Sequence, residues 1–331
     1  MRPLPLPTMP SPELLLGRQY RPTPGENNAS YGRWRHEYAM YTKGDRGLRS
    51  LAELVGNGMR PKLVVVETQH DPTTVFCMEH EIEMIVSSRP RGDEHVLLMH
   101  ERGIDLLVCN GYSKILPAEL LESVALGGVN CHAGRLPEYR GASPIPWQIL
   151  NGEKFGELNV LRMTAGIDDG PVLAKHSYLI GPDDDAESVM ETVTQLTNVA
   201  LPTVVARLLA GGVVSGVVQD ESRACRWTRR VPSDSRIDWS QDADRIVNLV
   251  RAMAGPYPAA FTYFGEMKYE VHRARVHDHR VAGIAGRCVG KNADAAIVVA
   301  GSGAVELLVC SSAGRMMSGS DLPLRYGSDL R

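Results

Sequence analysis

Short apolar runs alternate with segments of helical periodicity from residue 38 onward. Such runs between polar turns are typical of buried parallel strands, and apolar residues three and four positions apart are typical of the helices that connect them. The predicted strands cover residues 38–42, 63–66, 82–86, 104–109 and 128–132, and the predicted helices cover residues 47–55, 93–102 and 117–124. The alternation predicts an α/β fold with a mostly parallel, Rossmann-like sheet.

The pattern changes after this sheet. The predicted first domain is completed by a helix at 144–150, strands at 158–163 and 172–179 and a long amphipathic helix at 186–209. A polar connector at 219–232 follows. The predicted second domain contains one helix at 242–254 and short strands at 260–264, 268–274, 295–299 and 304–308. Short strands separated by glycine and polar residues are typical of a small β barrel. The predicted organisation is a Pro-rich arm (1–36), an α/β domain (37–212), a linker (213–232) and a barrel-like domain (233–331).

Composition excludes several classes of protein. Lys and Arg total 36 against 39 Asp and Glu, so no excess of positive charge indicates a polyanionic partner. The six cysteines contain no CxxC pair, which predicts neither a metal site nor a disulfide framework. The N-terminus has no apolar run of the length that a signal peptide or membrane helix requires. We therefore expect a cytoplasmic protein that does not contact the membrane.

Two polar residues mark the end of the fifth predicted strand. Asn130 and His132 are two positions apart in the stretch Val-Asn-Cys-His-Ala-Gly-Arg-Leu-Pro-Glu-Tyr-Arg-Gly, so their side chains point to the same side of the strand. Open α/β sheets bind their ligands at the carboxyl ends of strands. An amide and an imidazole at this position are candidates for hydrogen bonding and proton transfer to a substrate.

A second polar turn follows a later strand. Its sequence is Gly-Ile-Asp-Asp-Gly, with carboxylates at Asp168 and Asp169. Together with the first motif, it offers an amide donor, an imidazole and a carboxylate at strand ends of one sheet. Acyl transfer to an amine requires such a set, because an oxyanion forms at the carbonyl while the attacking nitrogen loses a proton.

These motifs resemble those of the N10-formyltetrahydrofolate-dependent formyltransferases, whose Asn-x-His, Leu-Pro-x-Tyr/Trp-Arg-Gly and Gly-x-Asp-x-Gly patterns they match. The resemblance covers nearly everything after the arm. It implies that Asn130, His132 and Asp168 are catalytic, with Asp168 preferred over Asp169 by its spacing to Gly170. It also implies a formyl-folate co-substrate and no metal. The predicted folate-binding residues are Asn110, Gly111, Tyr112, Ile115, Leu116, Pro117 and Gly166.

The second domain is similar to the barrel-like C-terminal domain of methionyl-tRNA formyltransferases. The similar stretches begin at Arg229-Arg230-Val231-Pro232 and at Val250-Arg251-Ala252-Met253. The same module occurs in the bacterial enzyme that formylates UDP-aminoarabinose. Its presence therefore does not identify the acceptor.

Three acceptors stay open: an amino sugar on a nucleotide, a hydroxy-amino acid such as hydroxyornithine, and methionyl-tRNA. The tRNA enzymes carry a basic insertion between the second and third strands, whereas residues 68–81 here contain no Lys or Arg. We expect an amino-sugar nucleotide, bound through Lys43, Arg46 and Arg140, with the turn at 43–47 as a candidate phosphate site. A formyl-folate hydrolase and a non-catalytic folate-binding protein are more distant alternatives. The oligomeric state stays open, with a homodimer among the alternatives.

Overall fold

A seven-stranded sheet forms the centre of the first domain. The computed structural model describes residues 34–90 and 92–331, so nearly all of the predicted arm lies outside the described residues. The strands of this sheet are β1 (Tyr38–Thr42), β2 (Leu63–Val66), β3 (Met84–Val86), β4 (Leu106–Asn110), β5 (Gly128–His132), β7 (Phe155–Arg162) and β8 (Val172–Leu179), and β6 (Arg140–Gly141) lies apart from it. Their order is β3-β2-β1-β4-β5-β7-β8, with the first five parallel to one another and β7 antiparallel to both of its neighbours, β5 and β8.

Helices connect the parallel strands and cover the sheet. They are α1 (Gly44–Gly56), α2 (Thr73–Glu79), α3 (Gly92–Glu101), α4 (Ala118–Glu122), α5 (Pro144–Leu150) and α6 (Ala186–Leu209). Strands β1 and β2 are fully buried runs of five and four residues, as parallel strands covered on both faces require. Asp185 begins α6 with a capping box shared with Ser188, which satisfies amides that the first turn leaves unpaired.

The second domain is an antiparallel sheet. It begins with α7 (Ala243–Ala252) and continues through β10 (Ala260–Phe264), β11 (Met267–Val276), β12 (Cys288–Lys291), β13 (Ala296–Val299), β14 (Ala304–Ser312) and β15 (Arg315–Ser318). The order is β10-β11-β14-β13-β12, with β15 beside β14. Leu330 bridges to Phe264 next to one edge and Asp329 bridges to Arg287 next to the other. The last residues of the chain therefore draw the two edges together, which gives the sheet its barrel-like form.

A buried carboxylate lies in this second sheet. Glu306 of β14 accepts hydrogen bonds from Arg275 Nε and His277 Nδ1, both at 2.7 Å. Burial opposes its ionisation, but the hydrogen bonds from His277 and Arg275 outweigh burial and hold the pKa of Glu306 below its ordinary value of 4.5. The ionised carboxylate therefore contributes to the stability of the folded sheet.

The predicted fold class is confirmed. Observed elements differ from the predicted ones mainly at their ends: β14 continues to Ser312 instead of ending at residue 308, and β3 begins at Met84 instead of residue 82. Helix α2 and strands β12 and β15 were not predicted. None of the helices in the described part of the chain is both long and apolar enough to cross a bilayer.

Candidate active site

The order of strands in the first sheet reverses between β1 and β4, which pair with each other. Ligands of open α/β sheets bind at such a reversal, beyond the carboxyl ends of the strands. Thr42, the last residue of β1, forms an isolated bridge there with Gly111, the residue after β4, and Thr42 Oγ1 donates to Asn110 O at 3.0 Å. Strand β5, which carries Asn130 and His132, is the next strand beside β4.

The structure brings the three predicted catalytic side chains together. Asn130 Nδ2 lies 3.3 Å from Asp168 Oδ1, and His132 Nδ1 lies 3.3 Å from Asp168 Oδ2. The Gly141 amide also donates to Asp168 Oδ2, at 2.9 Å. The Asp168 carboxylate is thus contacted by an amide, an imidazole and a backbone N–H. The loop after β4, which is predicted to bind folate, lies at the same carboxyl edge of the sheet.

The hydrogen bond made by Nε2 sets the tautomer of His132. Nε2 lies 2.6 Å from the carbonyl oxygen of Tyr139, and a carbonyl oxygen can only accept, so Nε2 carries a proton. Nδ1 is therefore the atom that can gain or lose a proton, and it faces Asp168. Burial raises the pKa of the intervening thiol, Cys131, to about 12, so this cysteine is not a thiolate nucleophile at neutral pH.

The loop after β5 is fixed by buried amides. Asn159 Nδ2 donates to Gly134 O at 2.8 Å, and Gln148 Nε2 donates to Ala133 O at 3.0 Å. A Cβ at Gly134 would lie 2.6 Å from His132 Nε2 and 2.7 Å from Tyr139 O. Only glycine therefore lets the chain pass this close to the imidazole.

The two neighbouring carboxylates have different surroundings. Asp168 faces the site, whereas Asp169 accepts a hydrogen bond from Thr164 Oγ1 in its own turn. A Cβ at Gly166 would overlap Asp169 Oδ2, and a Cβ at Gly170 would lie 1.9 Å from Arg162 O. Gly166 and Gly170 therefore allow a tight turn in which the Asp168 carboxylate faces the site and the Asp169 carboxylate bonds within the turn.

The linker contributes groups that the sequence analysis did not identify. Strand β9 (Arg226–Trp227) pairs in parallel with β6, placing Trp227 beside Gly141. Gln219 Nε2 donates to the carbonyl oxygens of Asp168 at 2.8 Å and Gly170 at 2.7 Å. A single glutamine in a polar connector carries no sequence pattern that would have marked it.

The predicted folate-binding residues divide by exposure. Asn110 is buried, with its amide donating to Ser50 Oγ at 2.7 Å, and Leu116 belongs to the core. Tyr112 O–H donates to Ser87 O at 2.7 Å, and burial raises its pKa. Ile115 is 67% exposed. Pro117 precedes α4 and Gly166 lies in the exposed turn before Asp168. Among the side chains of the 110–117 loop, Ile115 is therefore the most available to an apolar ligand.

The three predicted acceptor-binding residues also differ. Lys43 Nζ donates to Glu67 at 2.9 Å, and the Arg140 guanidinium is buried against Gln219 and Glu221. Arg46 donates to Met190 Sδ at 3.3 Å and forms no salt bridge with a carboxylate in the described part of the chain. Carboxylates thus engage Lys43 and Arg140, whereas Arg46 has no carboxylate partner among the described residues.

The candidate phosphate turn at 43–47 is occupied by a side chain of the protein. Asp71 Oδ2 accepts from the Gly44 amide at 2.9 Å, and its Oδ1 accepts from Thr73 N at 3.0 Å. A carboxylate at the start of α1 already satisfies this amide and would repel a phosphate. The turn is therefore a weaker anion site than its sequence indicates.

A groove of about 450 Å³ lies between α5, the linker and α7. Its lining includes Trp147, Arg230, Arg236 and Arg245, and the Arg230 guanidinium lies 4.9 Å from the Trp147 ring centroid. Trp147 also contacts Trp227, at 4.8 Å between ring centroids. Because Trp227 pairs with Gly141 and the Gly141 amide donates to Asp168, a chain of contacts runs from the groove to the Asp168 carboxylate. No group of three potential metal ligands is found among residues 34–90 and 92–331.

Comparison with known proteins finds matches in one family. Residues 43–205 match the family model described as formyl transferase, and residues 230–325 match the model of the formyl transferase C-terminal domain. A methionyl-tRNA formyltransferase of Geobacter metallireducens is 34% identical over 71% of this chain and 75% of its own length. Another, from Citrifermentans bemidjiense, is 32% identical over 79% of this chain and 80% of its own.

A solved structure shares the fold at low identity. It is an N-formyltransferase from Helicobacter canadensis in complex with folinic acid and dTDP-3-aminofucose. It is 14% identical, aligns with 82% of this chain and 99% of its own, and gives a TM-score of 0.63.

Proposed function

Because the chain belongs to the formyl transferase family, we propose that it transfers the formyl group of N10-formyltetrahydrofolate to a primary amine, with Asn130, His132 and Asp168 as catalytic residues. The observation that carries this assignment is that one carboxylate lies 3.3 Å from both the amide and the imidazole. These are the groups that acyl transfer to an amine requires.

Asn130 stabilises the charge that develops on the formyl oxygen. The amine nitrogen attacks the formyl carbon, and the carbonyl electrons move onto the oxygen while the nitrogen becomes positive. One N–H of the Asn130 amide points to Asp168 and the second is available to the oxyanion. Collapse of this intermediate breaks the bond from carbon to N10, and the folate nitrogen leaves with a proton.

The amine proton passes to the pair formed by Asp168 and His132. The Asp168 side chain is 13% exposed and that of His132 is 6% exposed, so an approaching amine meets the carboxylate first. The proton then moves to Nδ1, because Nε2 already donates to Tyr139. The carboxylate stabilises the resulting imidazolium, and the proton is returned to N10 as the folate leaves.

The formyl donor lies against the loop after β4 in this proposal. The exposed side chain of Ile115 offers apolar contact to the folate ring system, and the backbone of Gly111 allows close approach. The buried residues Asn110 and Leu116 act by holding the loop.

For the acceptor we propose an amino sugar carried on a nucleotide. The connection between β2 and β3 contains no Lys or Arg, whereas proteins that track a nucleic-acid backbone use many basic contacts. The groove beside Trp147 is lined by three arginines, which suit a diphosphate, and by the Trp147 indole, which suits a base, together with the carboxylates of Asp234 and Asp238. Its size is in the range of small-ligand sites.

Methionyl-tRNA is the second candidate. The observation that favours it is the name of the relatives from Geobacter metallireducens and Citrifermentans bemidjiense. The arginines of the groove would then meet phosphates near the aminoacylated end of the tRNA.

The test is incubation of the purified protein with N10-formyltetrahydrofolate and one amine at a time. The panel contains dTDP- and UDP-linked amino sugars, hydroxyornithine and methionyl-tRNA, and the measurements are tetrahydrofolate release and the mass of the product. Release that requires an amino-sugar nucleotide supports the proposal. Release without any amine would identify a hydrolase, and turnover with methionyl-tRNA alone would replace the first acceptor by the second.

A further inference from the structure

Asp168 has a backbone conformation that an L-residue rarely adopts. Its φ angle is +53°, in the left-handed region, and its turn leads directly to Gly170. Such a backbone conformation is strained for an L-residue and persists where the surroundings hold it in place. The position of the catalytic carboxylate therefore depends on groups outside its own turn.

The amide of Gln219 supplies such groups. Its two N–H bonds go to the carbonyl oxygens of Asp168 and Gly170, at 2.8 and 2.7 Å. Its Oε1 accepts from Arg140 Nε at 3.0 Å. Gln219 is 9% exposed, so these hydrogen bonds are largely protected from competition with water.

Arg140 is fixed in turn by the linker. Its two terminal nitrogens donate to Glu221 at 3.0 and 2.5 Å, and its side chain is 3% exposed. The residue after it is Gly141, whose amide donates to the Asp168 carboxylate. Asp168 is thus held at its backbone by Gln219 and at its side chain by Gly141, and Arg140 joins the two.

We propose that Gln219 is a positioning residue that keeps the Asp168 carboxylate within reach of His132 Nδ1, an inference that rests on the proposed function. A glutamine satisfies this position because it offers two donors to the carbonyls and one acceptor to the guanidinium. A glutamate at this position would place a carboxylate oxygen, instead of the two N–H donors, against both carbonyl oxygens. The linker is therefore part of the catalytic apparatus.

The first experiment compares Gln219→Glu and Gln219→Met with the wild type. We expect kcat to fall roughly ten- to a hundredfold, as displacement of a catalytic group by about 1 Å produces. The dissociation constant of a non-reactive folate analogue should change by less than about threefold, and the pH profile of kcat should shift because the Asp168–His132 pair is altered. The matched control is Gln195→Glu, the same change at an exposed residue whose amide bonds to Glu191.

Two further measurements keep the inference separate from folding and from the proposed function. Glu221→Ala removes the exposed end of the network while Gln219 keeps its bonds to Asp168 and Gly170, and it should lower kcat about two- to fivefold with a change in the pH profile of the same sign. A crystal structure of Gln219→Met should show the Asp168 carboxylate moved away from His132. Wild-type kcat and pH profile in folded Gln219 variants would overturn the inference. An unmoved carboxylate in the crystal structure would overturn it too, even if no amine acceptor were found.

Discussion

Substitution of Gly134 by alanine is expected to lower turnover strongly without removing a functional group. The added Cβ would lie 2.6 Å from His132 Nε2, 2.7 Å from Tyr139 O and 2.8 Å from Pro144 Cβ. Since non-bonded heavy atoms prefer separations of about 3.5 Å, the imidazole or the loop must move by about 0.9 Å. A displacement of this size costs roughly a hundredfold in turnover, and the overpacking costs about 1–3 kcal/mol of stability.

The assay is steady-state kcat with saturating formyl donor and acceptor, together with thermal unfolding. Gly56→Ala is the matched control, because a Cβ there meets no atom within 4 Å and the residue ends α1. It should retain wild-type turnover and unfold at the same or a slightly higher temperature. A folded Gly134→Ala enzyme with kcat within threefold of the wild type would refute the close placement of His132 as a requirement for turnover.

The remaining predictions concern single side chains. His132→Ala should lower kcat by roughly two to four powers of ten, the range for general acid-base groups, measured with saturating substrates. Asp168→Asn should abolish most activity, whereas Asp169→Asn should be mild, and the reverse ranking would exchange their roles. Asn130→Ala should lower kcat about a hundred- to a thousandfold, while binding of a folate analogue changes by less than tenfold. Glu306 has a lower pKa folded than unfolded, so it stabilises the protein above its unfolded pKa and loses this effect as the pH falls through the folded value. Thermal unfolding between pH 5 and pH 3 should therefore be less pH-dependent in Glu306→Gln.

The strands of the first sheet were predictable because buried parallel strands are continuous apolar runs, as in Leu63–Val66. Helix α2 was not, because it spans only seven residues and its apolar residues are consecutive, from Val75 to Met78, with no helical spacing. Strand β12 was missed since Gly290 interrupts it at a register shift. Short elements carry too little periodicity to stand out from loops.

The site shows the same division between local and distant signals. Asn130 and His132 lie two residues apart on one strand, so their common direction follows from strand geometry. Their contact with Asp168 depends on strand pairing across the sheet, which the sequence alone suggested only through its resemblance to a family. Arg140 was expected to bind substrate, but its guanidinium donates to Glu221, 81 residues later in the chain. Such long-range partners follow from tertiary packing and not from local pattern.

The pairing of β6 with β9 determines the best junction for hybrid proteins in which two relatives exchange their second domains. A junction at residue 212 would give the hybrid a foreign Gln219 and Trp227, so a change of acceptor preference could not be separated from damage to the carboxylate turn. A junction after Thr228 keeps both with the first domain, together with the backbone partner of Gly141. Hybrids joined there would show what the barrel-like domain alone contributes to the choice of acceptor.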